Sequence, residues 1–295
     1  MNKENFAVIY DDINLLTATD DEFRVFGNQL ANSRALIFRN QNLSAIDITD
    51  TLSKFGNVLE RPSNTDFFAH PENKNLYMVG NSYDGYDNSD ETVNETKYLF
   101  SSGELGWHSN GILRPFNPVE VAVSLYCVKT GEDPVNGDSI LSIADATQAY
   151  EDMPSDMKEL IDDIVWQPGY VPEKHFWYDV VRRQQNVINN IYKRYPKVET
   201  KPLALTHPVT GKKSVYFNPY ETVDMYRISG EPLDVEWLNN YLFDYLFQEK
   251  YIYHHHYKVG DLLLMDQFGT LHKRNNVTGE RLLFRSVFDY SKVVL

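Results

Sequence analysis

Cysteine pairs, long apolar runs and a surplus of basic residues are all missing from this 295-residue chain. The single cysteine, Cys127, excludes an internal disulfide and favours a reducing compartment, so we expect a cytoplasmic protein. Cys127 lies in the apolar run Val121–Val128, and we interpret it as a small buried side chain rather than a nucleophile. The longest aliphatic run, Leu262–Met265, is far shorter than the roughly 20 residues of a membrane-spanning helix. We therefore expect no membrane partner.

The charge balance is strongly acidic, with 42 acidic against 28 basic residues and a formal net charge of -14. Because nucleic-acid binding requires basic side chains that neutralise phosphates, this balance disfavours a nucleic-acid partner. The first residues contain no apolar segment typical of a secretory signal, which again indicates a cytoplasmic location. A few arginines inside a pocket are enough to bind a small anionic substrate. The composition leaves room for a homo-oligomer.

Motifs of several enzyme classes are absent as well. The chain has no G-x-S-x-G nucleophile elbow, no P-loop and no cysteine pair for zinc. It has no internal repeat and no low-complexity linker, and we expect residues 1–295 to form one domain. The polar, acidic segment Tyr83–Leu99 precedes the most informative motif of the chain. We expect residues 83–99 to form a lid loop over the site.

The local patterns predict a mainly β fold. Capping boxes beginning at Thr19 and Ser44 predict two helices, and apolar periodicity over 153–165 and 235–246 predicts two more. Short segments rich in β-branched and aromatic residues predict strands at Ala35–Phe38, Val119–Val128, Ser214–Phe217, Asp261–Met265 and Leu282–Asp289. These strands do not alternate with helices as a βαβ fold requires. We therefore predict a double-stranded β-helix, a jelly roll with a cupin-like core, with flanking helices.

Two histidines and an amide carry the most specific chemistry. In Gly106–Gly111, His108 and Asn110 lie two residues apart and would project from one face of a strand. His272 follows a predicted strand far downstream. Two histidines with an oxygen ligand two residues after the first resemble the local arrangement of the 2-His-1-carboxylate triad. That triad holds ferrous iron and leaves positions for 2-oxoglutarate and O2.

Two cations lie on the last predicted strand. Alternation places Arg281 and Arg285 on the same face as Leu283 and Val287. Burying two positive charges among apolar side chains is costly unless anions accompany them. An arginine on a strand that faces the pocket can hold the far carboxylate of 2-oxoglutarate with two parallel hydrogen bonds.

These motifs resemble the taurine dioxygenase (TauD/TfdA-like) family, and the resemblance covers nearly the whole chain. The matching segments follow in order: Trp107–Asn110, Pro134–Ser139, Tyr150–Ile164, Leu205–Gly211, Val215–Pro219, Tyr257–Asp261, His272 and Arg281. The resemblance implies an Fe(II)- and 2-oxoglutarate-dependent oxygenase. Such an enzyme uses O2 to oxidise an unactivated C–H bond of a small polar metabolite, by hydroxylation, and decarboxylates 2-oxoglutarate to succinate.

The resemblance also implies roles for individual residues. His108 and His272 would bind iron together with Asn110, while Arg281 and Ser139 would contact 2-oxoglutarate. Arg285 would contact the primary substrate, which we expect to be anionic or zwitterionic. We expect His70 to lie near the mouth of the pocket, where it would touch that substrate.

Asn110 departs from the family pattern, which has Asp at this position. An amide is a neutral and weaker ligand for a hard cation, so we expect weaker iron binding. Three interpretations remain open: ligation through the amide oxygen, a third position filled by water or chloride as in halogenating relatives, or a non-catalytic binding protein. A cupin-like metabolite-binding module and a zinc hydrolase are alternatives outside the family's chemistry.

The remaining histidines carry less information. His254, His255 and His256 are consecutive, and a strand cannot direct all three at one metal. We interpret them as a polar strand surface. His207, before Pro208, is interpreted as a turn residue.

Overall fold

Two large β-sheets dominate the protein, whose computed structural model describes residues 6–59, 69–80, 104–111, 122–130, 140–169, 199–275, 277 and 279–293. The helices are α1 (Asp20–Ser33), α2 (Ala45–Phe55), α3 (Ala146–Glu151), α4 (Ser155–Asp162) and α5 (Val235–Leu246), and a 3-10 turn spans Glu249–Tyr251. The strands are β1 (Val8–Tyr10), β2 (Ala35–Phe38), β3 (Tyr77–Gly80), β4 (Leu105–His108), β5 (Ala122–Lys129), β6 (Ile140–Asp145), β7 (Ile164–Pro168), β8 (Lys201–Pro202), β9 (Ala204–Thr206), β10 (Lys213–Val215), β11 (Thr222–Arg227), β12 (Ile252–His256), β13 (Leu262–Asp266), β14 (Thr270–Arg274) and β15 (Leu282–Phe288).

The larger sheet has six strands in the order β1-β2-β13-β5-β15-β3, and the second has four in the order β12-β6-β14-β4. All neighbouring strands in these two sheets are antiparallel except β1 and β2, which are parallel. A three-stranded sheet, β11-β7-β8, and the hairpin β9-β10 complete the described strands. The predominance of antiparallel strands, with helices outside them, confirms the predicted mainly β fold class.

Alternating side chains divide the interior into layers. Leu141 and Ile143 of β6 share one apolar cluster with Leu263 and Leu283 of the larger sheet, so the two large sheets face each other across this cluster. A second cluster joins the outer face of the larger sheet to α1 and α2. A third covers the outer face of the four-stranded sheet with α3, α5 and the small sheets. The space between the two large sheets is therefore an enclosed interior.

Both predicted capping boxes are present. The Thr19 hydroxyl accepts from the main-chain N–H of Glu22, whose carboxylate accepts from the N–H of Thr19. Ser44 and Asp47 make the same reciprocal pair at the start of α2. The predicted helix over 235–246 is also confirmed, as α5.

The single helix predicted over 153–165 is wrong. α4 ends at Asp162, and Ile164 and Val165 instead begin β7, where Ile164 pairs with Arg227 of β11. The helical spacing of apolar residues continues through this junction because Ile161 and Ile164 are both buried in one cluster. Pairing with a distant strand decides the conformation of Ile164, and local periodicity does not record it.

The histidine run is polar on one face only. His254 and His256 are exposed, but His255 is fully buried and its Nε2 lies 3.3 Å from Asp261 Oδ2. The interpretation of all three as a polar surface is therefore wrong for His255. Strand alternation directs this ring inward, where the buried carboxylate of Asp261 also forms an ion pair with Arg39.

Candidate active site

His108 and His272 meet on neighbouring strands. β4 and β14 are antiparallel, and their register places His272 directly opposite His108. The ring centroids are 4.2 Å apart, with an angle of 51° between the ring planes. The adjacent residues Trp107 and Leu271 belong to the outer cluster, so alternation directs both imidazoles toward the interior between the large sheets.

A main-chain carbonyl sets the tautomer of His108. Its Nδ1 lies 2.7 Å from the carbonyl oxygen of Gly106, and because a carbonyl only accepts, Nδ1 carries the proton. In the neutral form of the ring the lone pair is then on Nε2. A ring held in this way presents one defined nitrogen to a metal, as is usual for histidine ligands.

His272 is buried and neutral. Burial lowers its pKa well below the ordinary value, and electrostatic interaction with Arg285 and with any protonated form of His108 lowers it further. A neutral imidazole keeps the lone pair that metal binding requires. Its Nε2 accepts from the Asn110 side-chain nitrogen, Nδ2, at 3.3 Å.

Asn110 is held by a residue for which we predicted no role. Gln267 is the first residue after β13. Its Oε1 accepts from the main-chain N–H of Asn110 at 2.9 Å and from Asn110 Nδ2 at 3.2 Å. Gln267 is only 2% exposed. No local pattern marks it, because its contact with Asn110 joins residues 157 positions apart.

Hydrogen bonds with two distant residues hold Ser109 in place. They also restrain its neighbours His108 and Asn110. Asn218 Oδ1 accepts from the main-chain N–H of Ser109 at 2.7 Å, and Asn218 Nδ2 donates to its carbonyl oxygen at 3.1 Å. The Ser109 hydroxyl donates to the main-chain carbonyl of Gln267 at 3.2 Å. Asn218 lies in one of the segments that resemble the family, and bracketing Ser109 explains why an amide is needed there.

Arg285 lies on β15 of the larger sheet, opposite the histidines, and Arg281 directly precedes that strand, whereas Arg274 lies on β14 with His272. Arg281 is 2% exposed, and its guanidinium carbon lies 5.9 Å from the ring centroid of Tyr257. Arg274, buried on β14, is close enough that its charge interacts with that of Arg281; burial and that repulsion lower the pKa of Arg274 well below its ordinary value. Arg285 stacks over Tyr77 at 5.3 Å and also acts on the charge of His272. The interior is therefore strongly cationic and suited to anions.

Asp266 organises the turn that leads into β14. Its Oδ1 accepts from the N–H groups of Phe268 and Gly269, both at 2.8 Å, and its Oδ2 accepts from His207 Nε2 at 3.0 Å and from the hydroxyl of Tyr290. The carboxylate is fully buried. His207 is thus more than a turn residue, since it joins the network that positions the segment before His272.

Other predicted site residues are not brought to the histidines by any described contact. His70 Nδ1 accepts from the N–H of Glu72, and its ring packs edge-on against Phe284 with centroids 4.8 Å apart. Its contact with substrate stays a prediction. Ser139 and the segment 83–99 lie outside the described residues.

The donor set fits a divalent metal of intermediate softness. Within the described ranges no third His, Cys, Asp or Glu joins the two histidines to complete a metal-binding group, as expected where an amide occupies position 110. Neighbouring imidazoles on one face of a sheet are typical ligands of ferrous iron. His108 and His272 therefore fit such an ion.

No helix in the described part of the chain is long and apolar enough to cross a membrane.

Residues 4–287 match the family described as "Taurine catabolism dioxygenase TauD, TfdA family". An (S)-phenoxypropionate/alpha-ketoglutarate-dioxygenase of Sphingobium herbicidovorans is 26% identical over 203 residues, which are 66% of this chain and 66% of that protein. An alpha-ketoglutarate-dependent 2,4-dichlorophenoxyacetate dioxygenase of a Burkholderia species is 25% identical over 275 residues, 90% of this chain and 84% of the relative.

Solved structures show the same fold. A taurine dioxygenase from Burkholderia xenovorans superposes with a TM-score of 0.68 at 17% identity, covering 96% of this chain and 86% of the other. The structure of AAD-2 in complex with Mn(II) and N-oxalylglycine gives a TM-score of 0.69 at 16% identity, covering 96% and 93%. At these identities the likeness concerns the fold, and it confirms the predicted jelly-roll class.

Proposed function

Since the chain belongs to the TauD, TfdA family of alpha-ketoglutarate (2-oxoglutarate)-dependent dioxygenases, we propose that it hydroxylates an unactivated C–H bond of a small anionic metabolite. One observation carries the proposal. Two histidines from distant parts of the chain lie directly opposite each other on neighbouring strands, on the face that looks toward the buried arginines. When bound, ferrous iron and 2-oxoglutarate supply the oxygen-activating chemistry, in which 2-oxoglutarate becomes carbon dioxide and succinate.

We propose that His108 and His272 are the nitrogen ligands of the iron and that Asn110 lies beside them at the third position. The hydrogen bond of His108 to the Gly106 carbonyl places the lone pair of its neutral form on Nε2, and the lowered pKa of His272 favours a neutral ring. The pleated pairing of β4 and β14 keeps both rings in place without a metal, so little rearrangement is needed for binding.

We propose that Arg281 binds the far carboxylate of 2-oxoglutarate, with Ser139 as a second contact. The guanidinium is buried, and a carboxylate bound to it would offset part of the cost of burying its charge. Its planar fork, which lies over the Tyr257 ring, matches the geometry of a carboxylate.

We propose that Arg285 orients the primary substrate by an acidic group. Alternation along the strand gives it the same face as Arg281, and its electrostatic interaction with His272 supports a role close to the proposed metal. The two relatives above act, by their names, on (S)-phenoxypropionate and 2,4-dichlorophenoxyacetate, both carboxylates. A small carboxylic acid is therefore the substrate class to test first, and His70 remains a candidate contact.

The test is a substrate screen scored by succinate release with saturating Fe(II) and 2-oxoglutarate. We expect turnover with small carboxylates or zwitterions, loss of it in His272→Ala, and a raised KM in Arg285→Gln with 2-oxoglutarate affinity unchanged. The matched control is Arg227→Gln, which removes an arginine from an ion pair in the three-stranded sheet. Turnover only with cationic or purely apolar compounds would contradict the role of Arg285. No succinate with any substrate would favour a non-catalytic binding protein.

A further inference from the structure

We propose that Gln267 holds the Asn110 carboxamide with its nitrogen, not its oxygen, toward His272. Asn110 would then donate a hydrogen bond to a water or halide in the third metal position instead of binding the metal itself. The inference rests on the proposed function, because it assumes a metal at His108 and His272. It concerns which atom of Asn110 the folded chain presents there.

The orientation of Gln267 follows from the main chain. The main-chain N–H of Asn110 can only donate, and its acceptor is Gln267 Oε1 at 2.9 Å. The hydroxyl of Ser109 lies 3.4 Å from the same oxygen and can donate to it. Reversing the Gln267 carboxamide would place its NH2 group against a main-chain N–H, so the backbone selects one orientation.

Gln267 in turn selects the orientation of Asn110. Asn110 Nδ2 lies 3.2 Å from Gln267 Oε1 and 3.3 Å from His272 Nε2. Gln267 Oε1 is an acceptor, so the Asn110 atom that faces it must be a donor. Turning the Asn110 amide over would put its oxygen against the oxygen of Gln267. A metal on His272 would occupy the Nε2 lone pair, and the second N–H of Asn110 Nδ2 would then point to another acceptor beside the metal. An amide nitrogen has no lone pair available for a metal, so the group held beside His272 is not a ligand.

The hydrogen bonding of the Gln267 side chain indicates a role in positioning residues 109 and 110. Gln267 Nε2 is buried and has no acceptor among the described residues. A buried amide that leaves its NH2 group without an acceptor gives up a hydrogen bond. The contacts that Gln267 does make are all as an acceptor for residues 109 and 110. Its role is therefore to fix the segment that follows His108, including the amide.

The chemical consequence is an exchangeable third position. A ligand there must accept a hydrogen bond from Asn110 Nδ2, which suits water, hydroxide or a halide. An aspartate at position 110 would be an acceptor facing an acceptor. The pair Asn110 and Gln267 therefore matches a site built around an external ligand, and Gln267 is the positioning residue.

Metal binding to the full chain, freed of metal by a chelator, tests this with Co(II), an air-stable substitute for ferrous iron. Titration calorimetry and the visible absorption of bound Co(II) are the readouts. We expect Asn110→Ala to leave the absorption bands of bound Co(II) in place, because no ligand is lost. If Asn110 were a ligand, the bands would change in Asn110→Ala, because a different atom would then bind Co(II).

The Gln267→Leu variant separates a positioning role from a merely structural one, because the two roles predict opposite changes in Co(II) affinity. Without the Oε1 acceptor the Asn110 amide can turn its oxygen to the metal, so Co(II) should bind more tightly, with changed absorption bands. The double variant Gln267→Leu/Asn110→Ala should lose that gain. Weaker binding in Gln267→Leu, with the fold intact by circular dichroism, would overturn the inference. If this variant does not fold, Asn110→Ala alone decides.

His272→Ala separates this inference from the proposed function. If His272→Ala binds Co(II) as the native chain does, the metal is elsewhere and the proposed function fails. If His272→Ala loses Co(II) and the absorption bands change in Asn110→Ala, only the inference fails. If both expectations are met, repeating the Co(II) absorption measurement with chloride instead of perchlorate as the salt identifies the ligand in the third metal position. Changed absorption bands indicate a halide, and unchanged bands indicate water.

Discussion

A guanidinium that is almost completely withdrawn from water binds an anion far more strongly than one on the surface. Arg281 is such a group, and we expect Arg281→Ala to weaken 2-oxoglutarate binding by about 2 kcal/mol or more, roughly 30-fold, through the loss of charged hydrogen bonds. Calorimetry on the Co(II) form measures it, with Arg227→Ala as the control. Unchanged affinity would move the role to Arg274, its buried neighbour on β14.

The carboxylate of Asp266 depends on donors that only the folded chain provides. Tyr290→Phe removes one of them while preserving the ring, which is 4% exposed. Because the carboxylate stays buried with one hydrogen bond fewer, we expect the free energy of unfolding to fall by about 1.5–3 kcal/mol. Urea denaturation measures the change. Tyr226→Phe, at a ring 45% exposed, is the control and should be neutral. Equal effects in both variants would contradict this view of Asp266.

At the scale of single elements, the start of α2 offers a clean measurement. Ser44→Ala removes the hydroxyl that accepts from the Asp47 N–H, and we expect a loss of about 1 kcal/mol in the free energy of unfolding. Ser53→Ala, in the last turn of the same helix, is the matched control and should change little, because alanine favours the helix interior. A loss in Ser53→Ala as large as in Ser44→Ala would rule out the capping explanation.

The same cap carries a pH dependence. Hydrogen bonds from the Ser44 hydroxyl and then from its main-chain N–H lower the pKa of Asp47. A carboxylate with a lowered pKa stabilises the fold above its unfolded pKa, and that contribution is lost as the pH falls through the lower, folded value. The difference between native and Ser44→Ala should therefore shrink in acid.

Elements whose signal is local could be predicted from sequence, and those decided by distant partners could not. Both capping boxes lie within four residues, and both were found. Ile164 and Val165 kept a helical pattern, yet pairing with β11 makes them a strand. Alternation separated His255 from its neighbours but could not tell which face is buried, since that depends on Asp261 and on packing against the larger sheet.

The same division holds in the candidate site. His108, His272 and Arg281 were predicted from motifs and from the family resemblance that these motifs carry, and the structure brings the two histidines together. Gln267 belongs to no motif that the sequence analysis used. Its contact with residue 110 arises when β14 pairs with β4, and a single sequence carries no mark of that pairing.

At the scale of the whole molecule, the reactivity of the single cysteine measures whether the larger sheet is intact. Cys127 lies in β5 between β13 and β15, and burial, aided by the charge of Asp261, raises the pKa of its thiol to about 12. We expect no reaction with a disulfide reagent at pH 8 until the chain unfolds, and complete reaction in urea. Rapid labelling of the native protein would show that the sheet opens locally. Binding of 2-oxoglutarate near Arg281 should slow labelling further, because it stabilises the folded chain.

Metal binding at the paired histidines also makes the stability of the folded chain depend on the concentration of free metal. Asn110 and His272 are 162 residues apart in the chain, so their meeting place exists only after the sheets have formed. A metal that binds the folded chain alone raises its stability by about 2.7 kcal/mol when its free concentration is 100 times the dissociation constant. The melting temperature should climb with free Co(II) in the native chain and stay level in His272→Ala. Thermal melting thus becomes a gauge of metal affinity that requires no knowledge of the substrate.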